Sequence, residues 1–178
     1  MTAFVVVFQL LATFTTFFGP FSTAAALVPI VIGAALCGVA TGAWLGLVFG
    51  IVVLASGGAA LFMMYNIPGT ILTVLLKGAA CGAAAGVVYR LLERFNRYLA
   101  VLAAAIVCPV VNTGVFLLGG VLFFLKDADA IAASLKLAVT GMDVFWALAL
   151  GNFLFELGMN VVISPVTVKI LNLGKQKA

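Results

Sequence analysis

Apolar runs follow one another along this chain with almost no charge inside them, and that closes most routes to a fold. Between Met1 and Tyr89 the one charged side chain is Lys77. A soluble domain carries about 25% charged residues. Here 8% are charged and 66% hydrophobic, with mean hydropathy +1.35. Such a surface cannot face water on every side, so the chain reads as an integral membrane protein. The runs are continuous, not alternating, which argues against a β-barrel. A spanning helix needs about 20 apolar residues. With short connections, 178 residues fit six spans and leave no room for a separate soluble domain.

The expected fold is therefore an all-α six-helix bundle, one transmembrane domain over 1–178. Its spans are placed at 3–18, 23–37, 39–54, 69–92, 99–125 and 144–173. Pro29, inside the short second run, predicts a kink or a partly re-entrant segment. Residues 55–68 form an amphipathic connection, and residues 126–143 a more polar one. No basic region precedes the first apolar run, so no cleaved signal is expected.

Charge placement gives the topology. Arg90, Arg94 and Arg97 lie between spans four and five, and Lys169, Lys175 and Lys177 lie at the C-terminus. An even span count puts both clusters on one side. The positive-inside rule makes that side cytoplasmic, with both termini there. The acidic connection 126–143, with Asp127, Asp129 and Asp143, then lies outside. The net charge of +4 is scattered and is not a nucleic-acid signal.

Small residues mark close helix approaches. Gly38, Gly42, Gly46 and Gly50 recur every four residues, as do Gly78, Gly82 and Gly86. Such stripes let another helix approach closely. Two readings stand: the stripes pack the bundle against itself, or at least one of them meets a partner protein.

The polar residues sunk in apolar runs carry the functional argument. They are Gln9, Lys77, Asn112, Thr113, Asn152, Glu156 and Asn160. Asn152, Glu156 and Asn160 are spaced i, i+4, i+8 and share one helix stripe. A carboxyl group in hydrocarbon costs a few kcal/mol on the order of insertion scales, so it needs a partner or a wet cavity. Counting residues from the span ends puts Lys77, Asn112, Asn152 and Glu156 together in the outer half of the bundle. Lys77 and Glu156 are either a buried ion pair or part of a pocket for a polar or anionic small molecule. Asn160 lies deeper and reads as a packing residue. Tyr65 and Asn66 stand where they could close over a ligand, or serve as an interfacial Tyr and a turn Asn.

Enzymatic and metal signatures are absent. There is no histidine, and Cys37, Cys81 and Cys108 form no CxxC pair and read as reduced packing residues. There is no Walker A motif, no nucleophile elbow and no pair of acids at helical spacing, so no enzyme activity and no cofactor are expected. No inverted repeat argues for a complete secondary transporter.

Four segments, in order, resemble a known family. VPIVIGAALCGVATGAWLGLVFGIVVLASG, PGTILTVLLKGAACGAAAGVVYRLL, CPVVNTGVFLLGGVLFF and GNFLFELGMNVVISPVTVKI are similar to spans two to six of the substrate-binding (S) components of energy-coupling factor (ECF) vitamin transporters. The resemblance implies a bacterial cytoplasmic-membrane subunit that captures a vitamin or precursor from outside. It implies docking on a membrane coupling (T) subunit with two cytoplasmic ATPase subunits, and a toppling motion that releases the ligand inside. It places a binding site on Lys77, Asn112, Asn152 and Glu156, with connection 55–68 as its cover. Many members carry an Ala-xxx-Ala docking pattern in the first span. Here only Ala12 and Thr16 make a small pair, which leaves docking open between span one and the Gly38–Gly50 stripe. Lys77 favours a ligand with a carboxylate or other acceptor, and pantothenate-like ligands lead over riboflavin-type ones. The alternative from another class is a structural membrane subunit that assembles with partners and uses Lys77–Glu156 as an internal brace.

Overall fold

The computed structural model describes residues 1–15 and 27–175, and every regular element among them is helical. In chain order these are α1 (Thr2–Thr15), α2 (Leu27–Cys37), α3 (Val39–Ala55), the short α4 (Ala60–Met63), α5 (Ile67–Leu92), α6 (Arg97–Gly119), α7 (Ala128–Ser134) and α8 (Asp143–Lys175). The Gly19-Pro20 break, the N-terminal bound of the second span and Thr16 lie outside the described residues, as do the surroundings of the Ala12 side chain.

Three segments are long and apolar enough to cross a membrane: Ile67–Leu92, Arg97–Ser134 and Asp143–Lys169. At about 1.5 Å per residue, the 26 residues of α5 exceed the roughly 30 Å of a hydrocarbon core. Within the described residues the apolar helices Thr2–Leu11, Leu27–Cys37 and Val39–Ala55 are shorter.

Local sequence explains the helix ends. Asn66 caps α5: its Oδ1 accepts from the Gly69 backbone N–H at 2.9 Å, and Pro68 follows in the first turn. Asn96 caps α6 in the same way, accepting from Tyr98 and Leu99 at 2.8 and 3.3 Å. One residue, Gly38, separates α2 from α3. Its φ of 95° suits glycine alone, and the Arg90 guanidinium lies against it.

The glycine stripes meet each other. Gly42 lies opposite Gly82, Gly46 opposite Gly78 and Gly50 opposite Val74, so α3 and α5 run antiparallel in backbone contact. A Cβ on Gly46 would fall inside the Gly78 carbonyl, and one on Gly78 inside the Gly46 carbonyl. This is the most extensive helix pairing among the described elements. Of the two readings of the stripe, self-packing accounts for Gly42, Gly46 and Gly50.

Past Gly119 the α6 ladder widens into a π-helical turn, Gly120–Phe124, then tightens into a 3₁₀ turn, Leu125–Asp127, and continues as α7. The fifth span therefore extends past the expected residue 125, and part of the polar stretch 126–143 is helical. The remaining connection is tied back where Asp129 Oδ1 accepts from the Gly141 N–H at 2.8 Å. Helices α6 and α8 run antiparallel, with Asn112 opposite Glu156 and Gly120 opposite Phe145. That brings the C-terminal half of α8, with Lys169, toward the end that carries Arg90, Arg94 and Arg97.

Two cores follow from this arrangement. The larger fills the arginine-bearing half and the centre with Leu27, Ile30, Leu45, Phe49, Tyr89 and Val101. The smaller gathers Phe124, Ile131, Val144 and Phe145 at the opposite end, under Leu61, Phe62 and Tyr65.

Candidate functional site

Between the two cores, α5, α6 and α8 turn polar side chains toward one another. Glu156 is 0% exposed. Asn112 Nδ2, on α6, donates to both of its carboxylate oxygens, at 3.3 and 3.1 Å. Asn152 Nδ2, one turn earlier on α8, donates to Oε1 at 2.8 Å. Bonds to an ionised acceptor are the stronger kind, and two amide donors from two helices fix the carboxylate in place. Asn112 is itself 2% exposed, and its Oδ1 has no hydrogen-bond partner. An acceptor stranded in that way is costly to leave unmet.

Lys77 comes to this group from α5. Its Nζ stands 5.7 Å from the centre of the Phe116 ring, within cation–π range. Phe116 lies one helical turn from Asn112 on α6. Lys77 and Glu156 thus reach α6 within one helical turn of each other, at Phe116 and at Asn112. The carboxylate itself is gripped by amides.

One turn further toward the smaller core is a small apolar cleft, with room for a water molecule and little more. From α5 it is lined by Thr70, Thr73 and Val74, from α4 by Phe62, from α6 by Phe116, and from the π turn by Gly120 and Phe124. Phe62 stands edge-on to Phe116 (centroids 5.6 Å apart) and to Phe124 (5.3 Å). The Thr73 hydroxyl, 5% exposed, is a second buried oxygen without a hydrogen-bond partner. Thr70 is satisfied, donating to the Asn66 carbonyl at 2.7 Å.

The expected site residues therefore separate into two groups. Lys77, Asn112, Asn152 and Glu156 converge. Asn160 donates to the Glu156 backbone carbonyl at 2.9 Å, a bond within its own helix. Asn66 is engaged as the α5 cap, and its Nδ2 also reaches the Phe123 carbonyl at 3.4 Å. Tyr65 packs on the smaller core. Cys81 and Cys108 are buried, and Cys37 is exposed at the end of α2. Among the described residues no cluster of His, Cys, Asp or Glu could hold a metal ion. Thr73, Phe116 and Phe62 escaped the sequence reading. Thr73 precedes Lys77 by four residues and Phe116 follows Asn112 by four, so the signal was the helical period around residues already singled out.

Apolar helices that enclose a lysine, a carboxylate and three asparagines define a multi-pass membrane protein with a polar interior. The chain belongs to the substrate-specific component family of ECF transporters: the family model described as "ECF transporter, substrate-specific component" matches residues 1–171. That family is a transport family, not an enzyme family. Comparison with curated proteins and with solved structures found no match.

Proposed function

We propose that the chain is the ligand-capturing subunit of an ECF importer, taking a small water-soluble vitamin or precursor from outside a bacterial cell. The observation that carries this reading is the unpartnered Asn112 Oδ1 beside a carboxylate fixed by two amides. A brace alone has no use for a stranded acceptor at its centre. Lys77, Asn112, Asn152 and Glu156 form the inner wall of the site, and the connection that carries Phe62, Tyr65 and Asn66 is its cover. The topology is six spans with both termini cytoplasmic, supported by the clustering of Arg90, Arg94, Arg97 and Lys169 toward one end. The partners are the lipid bilayer, a membrane T subunit and two cytoplasmic ATPase subunits, with no nucleic acid. Docking uses the α1 face that includes Ala12, or the Gly38 end of α3.

The test is mass spectrometry on the purified protein, followed by melting-temperature shifts with a vitamin panel. A bound small molecule, or a shift with one panel member, is expected. Finding neither a bound molecule nor a shift would sink the capture reading. A structural subunit braced at Lys77 and Glu156 is the second reading, favoured by the direct amide grip on the carboxylate. It wins if Lys77→Met with Glu156→Gln leaves affinity intact while lowering the melting temperature.

A further inference from the structure

The charge at the centre of the site limits what can enter it. Lys77 and Glu156 are the only Lys, Arg, Asp or Glu side chains placed well inside α5, α6 or α8; the others lie toward a helix end or in a connection. They lie close together, joined through Asn112 and Phe116. Lys77 therefore already has a counter-charge. A carboxylate ligand would leave one buried anion uncompensated, in surroundings that screen it poorly. The stranded atoms add direction. Asn112 Oδ1 can only accept, so it asks for an N–H or O–H donor. The Thr73 hydroxyl, one turn outward, can donate or accept. Thr73 lines the apolar cleft together with Phe62, Phe116 and Phe124, and Asn112 lies one helical turn from Phe116 on α6.

We infer, resting on the capture reading above, that the ligand is an uncharged flat heteroaromatic molecule. It presents an N–H donor to Asn112 Oδ1, and its ring takes the place of the Phe62 side chain against Phe116 and Phe124. This reverses the weight that Lys77 alone gave to acidic ligands. The cleft is too small for a ring while Phe62 stands against Phe116 and Phe124, so binding displaces that side chain.

The experiment has two arms on the full-length protein in detergent. Any co-purifying molecule is extracted and identified by mass and ultraviolet absorbance. Riboflavin, nicotinamide, nicotinate and pantothenate are then tested by melting-temperature shift. The expected result is an uncharged, ring-absorbing molecule, or a shift with riboflavin or nicotinamide and none with nicotinate or pantothenate. A bound anion or aliphatic acid overturns the inference while leaving the capture reading intact. No bound molecule and no shift overturns both. Thr73→Val is the second arm, because it keeps shape and removes only the stranded hydroxyl. It should weaken binding of the identified molecule about tenfold with the unliganded melting temperature unchanged or raised. Unchanged affinity would put the ring elsewhere and overturn the assignment.

Discussion

A carboxylate at 0% exposure survives between apolar helices because its neighbours offer N–H groups in the right places. Asn112 and Asn152 replace the water that Glu156 gives up. Removing Asn112 takes away a donor from a second helix, so Asn112→Ala should cost about 1–3 kcal/mol of stability, the usual penalty for a buried group left short of a partner. Asn160→Ala should cost less, because its bond runs within α8. Denaturant titration of both variants, followed by tryptophan fluorescence, would check the order; equal losses would argue against the cross-helix grip. At this scale the site was half legible. Lys77, Asn112, Asn152 and Glu156 stand out because hydrocarbon is hostile to them. Thr73 and Phe116 do not, because a threonine and a phenylalanine are ordinary in a membrane helix, and only their position beside Lys77 and Asn112 gives them meaning.

The glycine seam is where element-scale packing is decided. Gly46→Val should separate α3 from α5 and lower the melting temperature by several degrees, because the added atoms collide with the Gly78 carbonyl, which is backbone and cannot rotate away. Gly114→Ala is the control. A Cβ there meets nothing within 4 Å, so the variant should be neutral or gain about 0.5–1 kcal/mol from the better helix former. A similar loss in both would mean that helix propensity, not the seam, governs these positions. Asn66→Ala should cost about 1 kcal/mol as a lost N-cap, read as faster hydrogen exchange of the Gly69 amide. The four-residue spacing made both stripes visible in the sequence, but spacing cannot say whether a stripe faces its own chain or another. The π turn at Gly120–Phe124 was invisible, since GVLFF reads as ordinary helix. What widens it is packing: Gly120 sits under Phe145 and Phe124 is drawn into the smaller core.

For the whole molecule, sidedness is the property most open to a direct test. Cys37 is exposed at the α2–α3 turn, beside the end that carries Arg90, while Cys81 and Cys108 are buried. A membrane-impermeant maleimide should therefore label one cysteine in inside-out vesicles and none in intact cells. Labelling from the outer face would invert the proposed topology. The run of apolar segments made the all-helical membrane class readable in advance. Tertiary placement was less readable, because residue counting along separate spans gives depth but not facing direction. Only the packed helices show that Glu156 is held by amides while Lys77 lies over the Phe116 ring.

The antiparallel seam has a mechanical consequence. Teeth four residues apart can disengage only by a whole step of about 6 Å, since any smaller slip drives a Cβ-bearing residue into a neighbouring backbone. Helices α3 and α5 thus move as a single plank, with Lys77 and Thr73 riding on its face. Opening the space behind them is left to the connection between Ala55 and Ile67 that joins the plank's two edges, and to α8, which packs on α6 less extensively than α6 packs on α5. A cross-link that freezes α3 to α5 should therefore leave ligand exchange untouched, whereas one between Phe62 and Phe124 should stop it.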